Sequence, residues 1–174
     1  MMNGDRGLVH VYTGDGKGKT TAALGLCVRA VGHGNTALIV QFMKTDGTYG
    51  ENFLRLPGLT VVPSGRDCLV FSKEVQQGDL DKAAEGLALA RSAMVEGRYD
   101  LVVLDEANVA IRFGLLKASD VAEAVRSRSE GVEVAITGRY APPELLDLAD
   151  YITEMKAVRH PHQKGTLSRK GVDR

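Results

Sequence analysis

An α/β fold with a mostly parallel, doubly wound sheet and helices on both faces is predicted by three observations. Short apolar runs at 36–42 and 101–104 lack polar alternation, as strands covered on both faces do, and a further strand reads at 132–137. Stretches of helical period separate these runs, the pattern of βαβ units. The first run, 7–13, ends in Gly14-Asp15-Gly16-Lys17-Gly18-Lys19-Thr20-Thr21. A glycine-rich turn between a strand and a helix, closed by Gly-Lys-Thr, marks a P-loop. The fold expected is therefore a single P-loop NTPase-like (RecA-like) domain over 1–174. Residues 1–6 form a short tail at one end and 157–174 a polar tail at the other.

The elements follow in order. The first helix is expected over 19–31, with Leu24, Cys27, Val28 and Val31 at helical spacing and Gly32 and Gly34 as its stop. The run 36–42 is the second strand. A polar loop over 43–50 leads to a short helix at 51–56, closed by Pro57-Gly58. The third strand is expected at 59–62, ended by Pro63. Residues 64–78 have no regular pattern, and a loop of that length is usually functional or mobile. Asp79 is expected to cap a helix reaching 96, with Leu80, Ala83, Ala84, Leu87, Ala90 and Met94 as its apolar stripe and Gly97 as its stop. The strand 100–106 ends in Asp105-Glu106. Helices are expected at 108–113, before Gly114, and at 119–126, capped by Ser119 or Asp120. After the strand 132–137, Pro142-Pro143 suit the first turn of a helix through Leu145, Leu146 and Leu148. A last strand is expected at 151–155.

Composition narrows the function classes. Lysine plus arginine and aspartate plus glutamate both number 22, so no global field draws the chain to nucleic acid or an anionic membrane. No apolar run approaches the ~20 residues that span a bilayer, and residues 1–7 carry no apolar signal core. Cys27 and Cys68 are far apart and suit a reducing cytosol as free thiols. A cytoplasmic location is expected.

The chemistry begins at the loop. Three glycines within 14–18 let backbone N–H groups turn inward as an anion nest, and the following helix points its positive end there. Lys19 supplies a charge for phosphates and Thr20 a hydroxyl for magnesium. The pattern departs from G-x-x-x-x-G-K-[ST]: Thr13 stands at the first glycine position, and Lys17 adds a second lysine. Asp105 and Glu106 end an apolar strand on the ligand side of a parallel sheet. If that strand neighbours the first, they sit beside the loop and hold magnesium or position a reactant. The alternative is a helix cap after a buried strand. These residues give a magnesium–nucleoside triphosphate site and leave the reaction open.

Together the stretches 11–25 (VYTGDGKGKTTAALG), 37–44 (ALIVQFMK), 99–106 (YDLVVLDE), 137–155 (TGRYAPPELLDLADYITEM) and 169–173 (RKGVD) resemble the P-loop ATP:corrinoid adenosyltransferases. These enzymes act on cob(I)alamin or cob(I)yrinic acid a,c-diamide, and the resemblance runs over nearly the whole chain. It implies that cobalt(I) attacks C5′ of ATP and that triphosphate leaves, in adenosylcobalamin biosynthesis or salvage. It also implies ATP bound in reverse relative to hydrolases, a flavin or flavodoxin-type reductant, and a homodimer. Lys17, Lys19 and the loop N–H groups would then hold the leaving group. Thr20 and Glu106 would bind the metal, with Asp105 behind them. Gly14, Asp15, Gly16, Gly18 and Thr21 complete the expected nucleotide contacts.

Other residues keep two readings. Arg29, Gln41 and Lys44 match family positions that contact nucleotide or order the site, yet each also suits a structural or surface role. Arg139 follows a strand end, as a phosphate contact or as an ion pair at a helix start. His160 matches a tail histidine near nucleotide or corrin, whereas His10 and His33 are expected to be structural. Some relatives place Phe and Trp after the third strand to displace the lower cobalt ligand. This chain has no Trp, and Phe71 is the candidate there, or else a core or lid anchor. A P-loop ATPase or kinase, or a non-catalytic ATP-binding switch, stands as the competing function.

Overall fold

The computed structural model describes residues 6–66, 75–161, 165 and 168–173. Its elements run β1 (Val9–Thr13), α1 (Lys19–Gly32), β2 (Ala37–Phe42), a 3-10 turn (Gly50–Phe53), β3 (Leu59–Ser64) and α2 (Gln77–Val95). They continue with β4 (Leu101–Asp105), α3 (Ala107–Arg112), α4 (Ala118–Arg126), β5 (Glu133–Thr137), α5 (Pro143–Leu146) and β6 (Tyr151–Glu154). All six strands join one sheet, ordered β3-β2-β4-β5-β1-β6, with every neighbouring pair parallel.

The non-alternating runs have a direct cause. Every residue of β2 and β4 is buried because helices cover both faces. On one face, Ala23 and Cys27 of α1 pack with Ile39, Leu101, Val103 and Ala135. On the other, Ala90 and Met94 of α2 and Val121 and Val125 of α4 pack with Leu38, Val40, Val102, Leu104 and Ile136. Each of the Val, Leu, Ile and Met side chains among these contributes ~1.5–3 kcal/mol on burial. Burial also pushes the Cys27 thiol up to about 12, so it stays protonated. His10 is a brace, as expected: its Nε2 meets Glu133 Oε1 at 2.5 Å, and its ring stacks on Tyr151.

Several boundaries differ from expectation. The third strand does not stop at Pro63 but continues to Ser64, with Pro63 opposite Gln41. β3 is an edge strand, so a residue without an N–H costs the ladder little there. α2 starts two residues before Asp79, which caps from inside the first turn by accepting the Gln76 N–H at 3.0 Å. Ala84 is exposed and leaves the apolar stripe. α4 starts at Ala118 after Lys117, with no side-chain cap; Ser119 instead donates to the Asp120 carboxylate. The helix expected at 51–56 is only the 3-10 turn, and α5 ends at Leu146, short of Leu148. β4 is not the neighbour of β1, because β5 lies between them.

Candidate active site

The loop after β1 is built against the chain just past β6. Gly16 N–H donates to the Met155 carbonyl at 2.6 Å. A Cβ on Gly14 or Gly16 would lie 2.5 or 2.7 Å from that same oxygen, closer than real Cβ atoms come. Gly14 and Gly18 both have positive φ, which glycine adopts without strain. Inside the loop, Lys19 is buried, and its Nζ donates to the Gly14 and Gly16 carbonyls, each at 2.7 Å. An ammonium has three donors; two are spent on the loop's own backbone. Burial lowers the Lys19 pKa, while the nearby Glu106 raises it.

The strand-end carboxylates reach the loop although β5 separates β4 from β1. Thr20, at the start of α1, spans the gap: its Oγ1 donates to Asp105 Oδ1 at 2.8 Å. The hydroxyl proton is thereby committed, and its lone pairs are left for a cation. Asp105 is fully buried, and four donors share its carboxylate. Thr20 and Thr137 serve Oδ1, the latter at 2.7 Å, while Gln41 and Lys44 serve Oδ2 at 3.0 and 2.8 Å. Burial works against its charge, but Lys44 and these hydrogen bonds hold its pKa below the ordinary value. Asp105 therefore orients Thr20 from behind and has no oxygen to spare for a metal.

Glu106 is placed differently. Its φ is +61°, a left-handed conformation that costs a non-glycine residue roughly 1–2 kcal/mol. Its N–H is fixed on Thr137 Oγ1 at 2.9 Å. Among the described residues its carboxylate has no hydrogen-bond or ion-pair partner. Burial, then the charge of Asp105, pushes its pKa up. A strained, half-buried carboxylate with no hydrogen-bond partner among the described residues, one position after the acid that holds the Thr20 hydroxyl, gives with that hydroxyl a hard-oxygen donor set. It fits a magnesium ion that also takes phosphate oxygens.

The remaining candidates divide. Arg139 lies on the loop, with its guanidinium 3.5 Å from the Asp15 carbonyl and 3.9 Å from the Asp15 carboxylate. Thr21 is exposed. Lys17 points away from the nest to the C-terminal segment: its Nζ donates to the Val172 carbonyl and pairs with Asp173, both at 2.9 Å. Arg29 is exposed in the last turn of α1, ten residues or ~15 Å along the axis from Lys19. His33 follows as the C-cap of α1. His160 is half-buried in the segment after β6. Phe71, like Cys68, lies outside the described residues.

Four contributors were not anticipated in these roles. Thr137 fixes both Asp105 and Glu106, Met155 forms the floor of the loop, and Glu51 and Asn52 hold Gln41. Thr137 and Met155 begin and end the T-G-R…T-E-M stretch, so a signal existed for them. Nothing marks Glu51 and Asn52 in a polar loop.

A glycine nest around a buried lysine, next to a threonine hydroxyl held by a strand-end carboxylate, defines a P-loop nucleotide-binding protein. The chain belongs to the family described as ATP:corrinoid adenosyltransferase BtuR/CobO/CobP, which matches residues 5–173. It is 34% identical over 171 residues to the corrinoid adenosyltransferase of Pseudomonas aeruginosa, covering 97% of this chain and 84% of that one. It is 36% identical to the Escherichia coli K12 corrinoid adenosyltransferase and 37% identical to corrinoid adenosyltransferase CobA of Salmonella typhimurium LT2. Each of these matches covers 97% of this chain and 86% of the relative.

Proposed function

We propose that this protein transfers the 5′-deoxyadenosyl group of ATP to the cobalt(I) of a reduced corrinoid, in adenosylcobalamin biosynthesis or salvage. The observation that carries the reading is the P-loop corner of Lys19, Thr20 and Glu106 in a chain of this family. Cobalt(I) gives an electron pair to C5′, the C5′–O5′ bond breaks, and that oxygen keeps its pair as triphosphate leaves. Stabilising charge on the leaving polyanion lowers the barrier. Lys19 and the loop N–H groups bind the triphosphate and hold it in line, with Arg139 at the rim. Asp105 fixes the Thr20 hydroxyl, and Glu106 faces the same corner. Thr20 and Glu106 would hold magnesium, which when bound would supply Lewis-acid charge for the leaving polyanion. No general base is required, since cobalt(I) brings its own electron pair.

Lys17 joins the phosphate contacts once it leaves Asp173, and His160 and Phe71 are assigned to the corrin side. A flavin or flavodoxin-type donor supplies cobalt(I). The protein works as a cytoplasmic homodimer of single-domain chains; no described helix is long and apolar enough to cross a membrane. The test is anaerobic incubation with ATP, magnesium, reductant and cob(II)alamin. The corrin spectrum should change to that of the alkylated form, with one triphosphate per corrinoid. ADP and phosphate as the only products would overturn the transferase in favour of an ATPase.

A further inference from the structure

Lys44 is the most buried cation of the described chain outside the P-loop. It is 8% exposed. Its Nζ lies 2.8 Å from Asp105 Oδ2 and 3.1 Å from Glu51 Oε1, and 4.6 Å from the centre of the Tyr49 ring. Burial alone would lower its pKa, but Asp105 and Glu51 outweigh that and push it up to about 12. Gln41, fully buried, donates to both acids, to Glu51 Oε1 at 2.8 Å and to Asp105 Oδ2 at 3.0 Å. Asn52 completes the set by donating to Gln41 Oε1 at 3.0 Å. The backbone here is equally fixed. Met43 has a φ of +61°, and a Cβ on Gly65 would lie 2.5 Å from Lys44 N.

Stability does not explain this cluster. A buried ion pair is about neutral against a well-packed apolar pair of the same volume, because desolvation offsets the attraction. Two acids, a lysine and two amides at a sheet end therefore need another reason. Lys44 and Gln41 both donate to Asp105, Glu51 and Asn52 hold those two side chains, and Asp105 is what holds the Thr20 proton. We propose that Lys44, clamped by Glu51, is a positioning residue for the metal corner. It fixes and neutralises the Asp105 carboxylate, so that the Thr20 hydroxyl keeps its lone pairs toward the cation and Glu106 is the carboxylate there that no side-chain hydrogen bond ties down among the described residues. Without Lys44, Oδ2 keeps only Gln41, and the carboxylate can turn and carry the acceptor of Thr20 with it. The inference rests on the assignment of Thr20 and Glu106 as metal ligands.

Mn2+ in the presence of ATP is the probe, read on the full chain by loss of the free-ion EPR signal. Lys44→Met is expected to weaken Mn2+ by about tenfold, and Lys44→Arg to retain most of the affinity. Thr20→Ala should cost clearly less in the Lys44→Met background than alone, since residues acting through one carboxylate do not add. Glu51→Gln removes only the clamp's charge and should weaken Mn2+ by about threefold; it decides the matter if Lys44→Met does not fold. Unchanged Mn2+ affinity in a folded Lys44→Met, or in Glu51→Gln when Lys44→Met fails to fold, overturns the proposal. So does simple additivity with Thr20→Ala. A wild type that holds Mn2+ no better than free ATP does would remove the metal assignment itself, and this proposal with it.

Discussion

Glu106 carries two unfavourable features at one position. Its backbone is left-handed, and its carboxylate is half-buried with Asp105 next to it. Strain that persists at such a place points to use. Its pKa stands above the ordinary 4.5, which fixes two signs. Between 4.5 and the raised value the folded chain keeps a proton that the unfolded chain releases, so this group's contribution to stability falls as pH rises through that window. On the proposed role of Glu106 as a metal ligand, ATP binding in magnesium needs the charged carboxylate and fades as pH falls through the raised value. Glu106→Gln should therefore raise the melting temperature of the ligand-free protein at neutral pH by ~2–4 °C, the shift that about 1 kcal/mol gives at this size. It should also weaken ATP binding in magnesium by about tenfold and flatten the acid limb of its pH profile. Scanning calorimetry and titration calorimetry from pH 5 to 8 read both; a lower melting temperature would show that the charge is compensated.

Elements bring these residues together by close backbone approach, and glycines permit it. Gly16→Ala would put a Cβ 2.7 Å from the Met155 carbonyl, an atom that cannot rotate away. The loop must then leave β6, with loss of the Gly16 N–H bond and a cost of roughly 1–3 kcal/mol. ATP binding should fall below detection by calorimetry while the far-ultraviolet circular dichroism keeps its α/β form. Retained binding would mean that the nest forms without the Met155 floor. The central strands β2, β4 and β5 were legible because parallel strands buried on both faces read as apolar runs, and the loop because its glycines and lysine are contiguous. Strand order was not: β5 entering between β4 and β1 depends on contacts far apart in the chain. Pro63 misled because its meaning changes between a central and an edge strand. The cluster around Lys44 was hidden for a related reason. Lys44 and Asp105 stand 61 positions apart, and a lone acid such as Glu51 has no pattern.

At the scale of the molecule, the C-terminal segment returns to the first loop. Lys17 reaches Val172 and Asp173, and Arg169 holds the same Asp173 carboxylate at 3.0 Å. Hydrogen bonds from Lys17 and Arg169 hold the Asp173 carboxyl well below the ordinary carboxylate range. All these groups are at the surface, where ion pairs add little to stability and are screened by salt. Removing the pair should therefore leave the melting temperature nearly unchanged. Its effect belongs to the ligand. On the proposed contact of Lys17 with phosphate, a triphosphate in the nest and the Asp173 carboxylate would compete for the same ammonium. Asp173→Asn should tighten ATP binding by about threefold at 0.02 M salt, and the gain should shrink toward 1 M as the Debye length falls to ~3 Å. Lys17→Met should abolish the difference between the Asn and Asp forms, since the two changes act through one cation. Titration calorimetry of the four proteins at both salt concentrations measures this. Weaker binding in Asp173→Asn would instead mean that the segment shapes the loop, with Lys17 serving as its anchor.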